Sequence, residues 1–138
     1  MFKKLRKNEK GFTLAELLIV VAIIGVLVAI SIPIFTAQLK KARLATNQAN
    51  ARAAYAMAVA ATLDDKNTAT TFTYTVDGAK LEATGTAVTG NTDIAKWTVG
   101  DTIGSVKVGD VVAKTWVISF TAGTDTADSS LEGISAAS

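Results

Sequence analysis

The chain has 138 residues, 49% of them hydrophobic and 19% charged, which leaves room for one modest domain and an extension. Its net charge of +2 is unevenly placed: residues 1–11 hold five basic side chains and one acidic, and the remainder holds nine basic and eleven acidic, so nucleic-acid binding through overall charge is not supported. With no cysteine and no histidine, the composition excludes a disulfide framework, Cys/His zinc sites, thiol nucleophiles and histidine general bases.

The chain opens on a basic segment containing Lys3, Lys4, Arg6, Lys7 and Lys10. From Leu17 to Leu39 there is no formal charge, and a helix of that length, roughly 35 Å, crosses a bilayer. The basic side is expected to stay cytoplasmic and the rest to be exported. Three readings are open at this point. A secretory signal would be cut near Ala29-Ile30-Ser31, where Pro33 crowds the site and the apolar run is long for an h-region. A plain signal anchor fits the length but gives no reason for Glu16. Processing between Gly11 and Phe12 keeps the apolar segment in the product.

Glu16 sits close to the helix start, near the favourable end of the helix dipole. A charged residue such as Asp at the bilayer centre costs about 2.5–3.5 kcal/mol on insertion scales, and several apolar residues at about −0.3 to −0.6 kcal/mol each offset that. Glu16 therefore does not prevent insertion. Pro33 lacks a backbone donor and crowds the Ala29 carbonyl, so Ala29–Pro33 is the expected kink, with Gly25 a second soft point.

The stretch "KGFTLAE", followed by "LLIVVAIIGVLVAISIP", resembles the class III signal of type IV prepilins over about residues 3–35. The resemblance implies that a dedicated peptidase cuts after Gly11 and methylates Phe12. It also implies that Glu16 is the fifth residue of the product and pairs with a neighbouring subunit's N-terminal amine. Segments 1–11, 12–35 and 36–138 are then leader, transmembrane and polymerisation half-helix, and globular head. The resemblance also implies that the helix between Gly25 and Pro33 can lose its regular form in the filament. Pseudopilins of type II secretion systems and competence pilins share the signature. The absence of Cys departs from the many pilins whose C-terminal loop is closed by a disulfide.

Between Pro33 and Asp64 the chain is rich in alanine, the best helix former, so one helix is expected over Phe12–Leu63. Phe35, Leu39, Ala42, Ala45, Ala49, Ala53, Ala56, Ala60 and Leu63 fall at three- and four-residue steps. They predict the face on which a sheet packs, with Asn47, Gln48, Asn50 and Arg52 off it. Lys40, Lys41 and Arg43 read as a solvated cluster facing headgroups, and a nucleic-acid patch lacks interleaved aromatics.

Asp64–Asp65 open a polar loop. "TFTYTV" alternates, and Asp77–Gly78 signals a two-residue hairpin turn. "TWVISF" and the shorter "SVKVGD" read as strands, with a further strand around Lys96–Val99. The fold class is α+β, a long helix on a three- to four-stranded antiparallel sheet. Trp97 and Trp116 read as core or loop anchors rather than a carbohydrate platform. The tail "GTDTADSSLEGISAAS" reads as polar and disordered. Asp125, Asp128 and Glu132 do not have the spacing of a calcium loop. No catalytic, cofactor or metal set stands out.

These expectations describe a type IV major pilin, with a pseudopilin of a type II secretion or competence machine as the alternative. An exported binding domain on a plain anchor is a third class, indifferent to Glu16→Ala. The expected partners are further copies in a helical filament, the membrane before assembly, a prepilin peptidase, an inner-membrane platform with its ATPase, and minor pilins. A role toward nucleic acid stays open. The expected location is the cell membrane first and the surface fibre afterwards.

Overall fold

The computed structural model of the chain describes residues 11–64, 68–83, 86–121 and 130–138, so the basic segment 1–10, Asp65, Asp125 and Asp128 lie outside the described residues. One α-helix, α1, covers Leu14–Thr62. The chain divides into two compact units after Gln38, each taken here by itself.

In the first unit every residue from Gly11 to Gln38 is exposed, including Leu17, Ile23, Leu27, Ile30 and Phe35. The helix is long and apolar enough to cross a membrane. It stays helical through Gly25 and Pro33. Pro33 has no N–H to offer the Ala29 carbonyl. Its neighbours satisfy their own hydroxyls on the helix: Ser31 Oγ donates to the Leu27 carbonyl at 2.6 Å, and Thr36 Oγ1 to that of Ile32 at 3.0 Å.

In the second unit the rest of α1 packs on an antiparallel sheet in the order β2-β1-β5-β6. The strands are β1 (Thr71–Thr75), β2 (Lys80–Ala83), β5 (Thr115–Phe120) and β6 (Leu131–Ala137). A separate two-stranded ladder of β3 (Thr102–Ile103) and β4 (Val106–Lys107) docks its turn on β6, where the Ser105 N–H donates to the Ala136 carbonyl at 3.0 Å. The α+β expectation holds. Strand alternation sets the core face: Phe72 and Tyr74 of β1, and Trp116, Ile118 and Phe120 of β5, are buried. Register aligns them into two rows, Ala83–Phe72–Ile118–Ile134 and Leu81–Tyr74–Trp116–Ala136.

The helix meets this core on a different face from the one its periodicity suggested. Ala51, Ala54, Ala58 and Asn47 are fully buried, and Thr62 is buried at the end of the helix. Phe35, Leu39, Ala42, Ala45, Ala49, Ala53, Ala56, Ala60 and Leu63 are all exposed. Where nearly every turn offers alanine on each side, apolarity does not select a face, and the polar contacts of Asn47 do. The buried Asn47 Nδ2 donates to the carbonyls of Val108 (3.0 Å) and Val111 (2.8 Å), while its Oδ1 accepts from the Ala113 N–H (2.9 Å). Gln48 Nε2 donates to the Ile94 carbonyl at 3.0 Å.

Three further differences follow from local chemistry. Lys96–Val99 is not a strand: Lys96 ends a 3-10 turn, Ile94–Lys96, and Trp97 follows it to stack on Trp116 with ring centroids 5.7 Å apart in the core. The Ala79 N–H closes a turn onto the Val76 carbonyl around Asp77–Gly78. Gly78 (φ 80) and Ala79 (φ 49) are both left-handed, so Thr75 and Lys80 are the last pair and the loop has four residues rather than two. The second half of the polar tail is ordered as β6, beside β5. On its other side β6 receives Gly90, whose N–H donates to Glu132 and whose carbonyl accepts from Ile134. Gly133 permits this approach, since a Cβ there would lie 2.2 Å from the Val88 carbonyl oxygen.

Candidate processing and assembly segment

Gly11, Phe12 and Thr13 precede the helix, and α1 begins at Leu14. Gly11 has φ 49, a left-handed conformation open to glycine at little cost, and a Cβ there would meet nothing. Phe12 is 76% exposed, so the Gly11–Phe12 bond is accessible from outside.

Thr13 and Glu16 close the helix start reciprocally. Thr13 Oγ1 accepts from the Glu16 N–H at 3.2 Å, and Glu16 Oε2 accepts from the Thr13 N–H at 3.0 Å. This is a capping box, Thr-x-x-Glu, and it satisfies two of the donors that every helix start leaves open. Glu16 is thus a helix cap as well as a carboxylate at the favourable dipole end, a second role whose signature is threonine three residues before glutamate ahead of an apolar run. The pairing holds one carboxylate oxygen over its own helix and leaves Oε1 for another donor. The two expected soft points, Gly25 and Pro33, lie further along the same exposed helical segment, and a Cβ at Gly25 would meet nothing.

Among the described residues no group of three or more Asp and Glu side chains is set to hold a metal ion, and Glu132 lies on β6. Residues 6–32 match the model of the prokaryotic N-terminal methylation motif. The chain carries a prokaryotic N-terminal methylation motif. Two curated proteins are similar to it. The type IV narrow pilus major component PilA5 of Thermus thermophilus is 50% identical over 54 residues, which is 37% of this chain and 47% of the relative. The fimbrial protein EcpB of Eikenella corrodens is 53% identical over 37 residues, 27% of this chain and 23% of the relative. The chain thus spans less than half the length of either. No solved structure matches it significantly. The methylation motif covers Arg6, Lys7 and Lys10 of the basic segment, with Gly11, Phe12, Glu16 and Gly25, and stops at Ile32, one residue before Pro33.

Proposed function

We propose that this chain is a structural subunit of a type IV pilus and not an enzyme. It is held in the membrane by residues 12–35 with its basic end in the cytoplasm, cut after Gly11, methylated on Phe12 and polymerised into a surface fibre. The observation that carries this reading is the methylation motif over residues 6–32, with Gly11–Phe12 accessible ahead of a helix long and apolar enough to span. Both named relatives, a pilus component and a fimbrial protein, point the same way.

The chemistry of assembly follows from what cleavage does to charge. Cutting the Gly11–Phe12 bond turns the Phe12 nitrogen into a cationic amine. A bare carboxylate moved among apolar helices is strongly disfavoured, whereas one paired with a cation and hydrogen-bonded is tolerated. Glu16 keeps its capping bond through Oε2 and offers Oε1 to the amine of an adjacent copy. Pairing occurs at one axial offset only, so it sets the register of each incoming subunit. The exposed Leu, Ile and Val side chains of α1 then exchange lipid for protein neighbours, with Gly25 and Pro33 letting the helix adapt. Segment 36–138 forms the head on the fibre surface. A prepilin peptidase, a membrane platform with its ATPase, and minor pilins act on the chain in this scheme.

Electron microscopy and subunit identification of sheared surface material test the reading. Fibres composed of this chain are expected. Its confinement to the membrane fraction of cells that make fibres from another subunit would contradict it.

A further inference from the structure

We propose that Lys40 and Lys107, set around Asp110, form a site for the phosphate of an anionic lipid headgroup, engaged while the chain is still in the membrane. The inference rests on the membrane-inserted state proposed above and adds a ligand to it.

Lys40 is the first charged residue after Glu16 along α1, so it stands where the apolar run meets the headgroup layer. Its Nζ lies 3.4 Å from Asp110 Oδ1, and Lys107 Nζ lies 3.9 Å from Asp110 Oδ2. Two ammonium groups therefore share one carboxylate. Lys41 and Arg43 follow Lys40 on the helix and add positive charge to this stretch of the chain. Asp101 is tied to the same turn, its carbonyl accepting from the Val108 N–H at 3.0 Å. Its carboxylate is committed to the N–H and hydroxyl of Thr98.

Folding brings Lys107 to this place from 67 positions along the chain. The β3–β4 hairpin presents it, and the turn that follows is fixed by the bonds from Asn47 to the Val108 and Val111 carbonyls. The turn lies close to the helix, a Cβ at Gly109 falling 3.6 Å from Lys40 Cβ, an ordinary contact, while its 2.8 Å approach to Val99 Cγ1 is the one that favours glycine. Val99, itself 40% exposed, adds apolar surface beside the cations. Asn47 lies about 10 Å further along the helix than Lys40, so the tip of the turn, Gly109–Asp110, is at the level of Lys40.

Side chains this exposed contribute little to folding through ion pairs. A phosphate gains more from them: Lys binds it as a point charge, and basic residues near an anionic membrane surface strengthen attachment roughly fivefold each.

Native mass spectrometry of the full chain released from nanodiscs of phosphatidylcholine, with or without phosphatidylglycerol, tests the site. Selective retention of phosphatidylglycerol is expected, with inorganic phosphate failing to displace it. The preference should fall roughly fivefold for each lysine removed in Lys40→Gln and Lys107→Gln, and stay unchanged in Lys80→Gln. Asp110→Asn frees both ammonium groups and should raise retention, which guards against a lysine variant that folds poorly. Equal retention of both lipids, displacement by inorganic phosphate, a second copy of the chain retained in place of lipid, or no gain in Asp110→Asn would overturn the proposal while leaving the inserted state intact. Failure of the chain to insert in either nanodisc would overturn both.

Discussion

Thr13 and Glu16 exchange hydrogen bonds across the first turn of α1, so the carboxylate proposed to guide assembly is also the cap of its own helix. The two roles separate chemically. Glutamine caps as glutamate does but carries no charge. Glu16→Gln is expected to keep the helix start and membrane insertion while abolishing fibres. Thr13→Ala should cost about 1 kcal/mol of local helix stability and still allow fibres. Hydrogen exchange of the first-turn amides, read alongside electron microscopy, checks both. Abundant normal fibres from Glu16→Gln would count against the charge-pairing role.

Asn47 is the polar residue on which the head is built. Its replacement by alanine leaves the Ala113 N–H and two loop carbonyls without their partner. Unmade buried hydrogen bonds cost about 1–3 kcal/mol each, so Asn47→Ala should destabilise the head by about 2–4 kcal/mol after partial relaxation. Asn47→Asp loses the two donors and should be similarly damaging, while Arg52→Ala, at an exposed position, should stay within about 0.5 kcal/mol of the parent. Chemical denaturation in detergent, followed through the buried Trp97–Trp116 pair, measures this.

The orientation of α1 in the head makes a paired prediction. Ala51 is completely buried and Ala53, two residues on, is exposed. Ala51→Leu should overpack the helix–sheet contact at about 1–3 kcal/mol, and Ala53→Leu should cost less than about 0.5 kcal/mol in the monomer. The reverse order in thermal melts would mean that the helix presents its other alanine face to the sheet.

Asp93 titrates below the usual carboxylate range, chiefly because it bonds the Lys96 ammonium at 2.8 Å. A depressed folded-state pKa stabilises the fold above the unfolded-state value, and that contribution is lost as pH falls through the folded value. Both side chains are exposed to solvent, so the pair should leave the melting temperature nearly unchanged at neutral pH. An NMR titration should show Asp93 with a lowered midpoint that returns to the ordinary range in Lys96→Met. An unshifted midpoint in the parent would rule out the pair in solution.

The parts of this chain written in strong local chemistry were readable in advance. A short basic run, Gly11–Phe12, Glu16 and an unbroken apolar stretch mark the segment that matches the methylation motif by residue order alone. "TFTYTV" and "TWVISF" alternate cleanly because each has one face in the core. The misread parts are those where local signals are weak or tertiary bonds decide. Alanine on every side of α1 hid the packing face, and Asn47 looked like a surface residue because its three partners lie more than 60 residues away. "LEGISAAS" looks unstructured because its small residues bury little by themselves. It becomes β6 by pairing with β5 and admitting Gly90 beside Gly133. Lys96–Val99 has strand-like residues, but the 3-10 turn before it delivers Trp97 to Trp116 instead.

The central claim is that the Gly11–Phe12 bond is the point at which this chain is processed and made ready to assemble. Mass spectrometry of the N-terminal peptide from sheared surface material tests it most directly. The account predicts a peptide beginning at Phe12 and carrying one N-methyl group. A peptide beginning at Met1, or near Ile32 as a secretory cut would leave it, would contradict it.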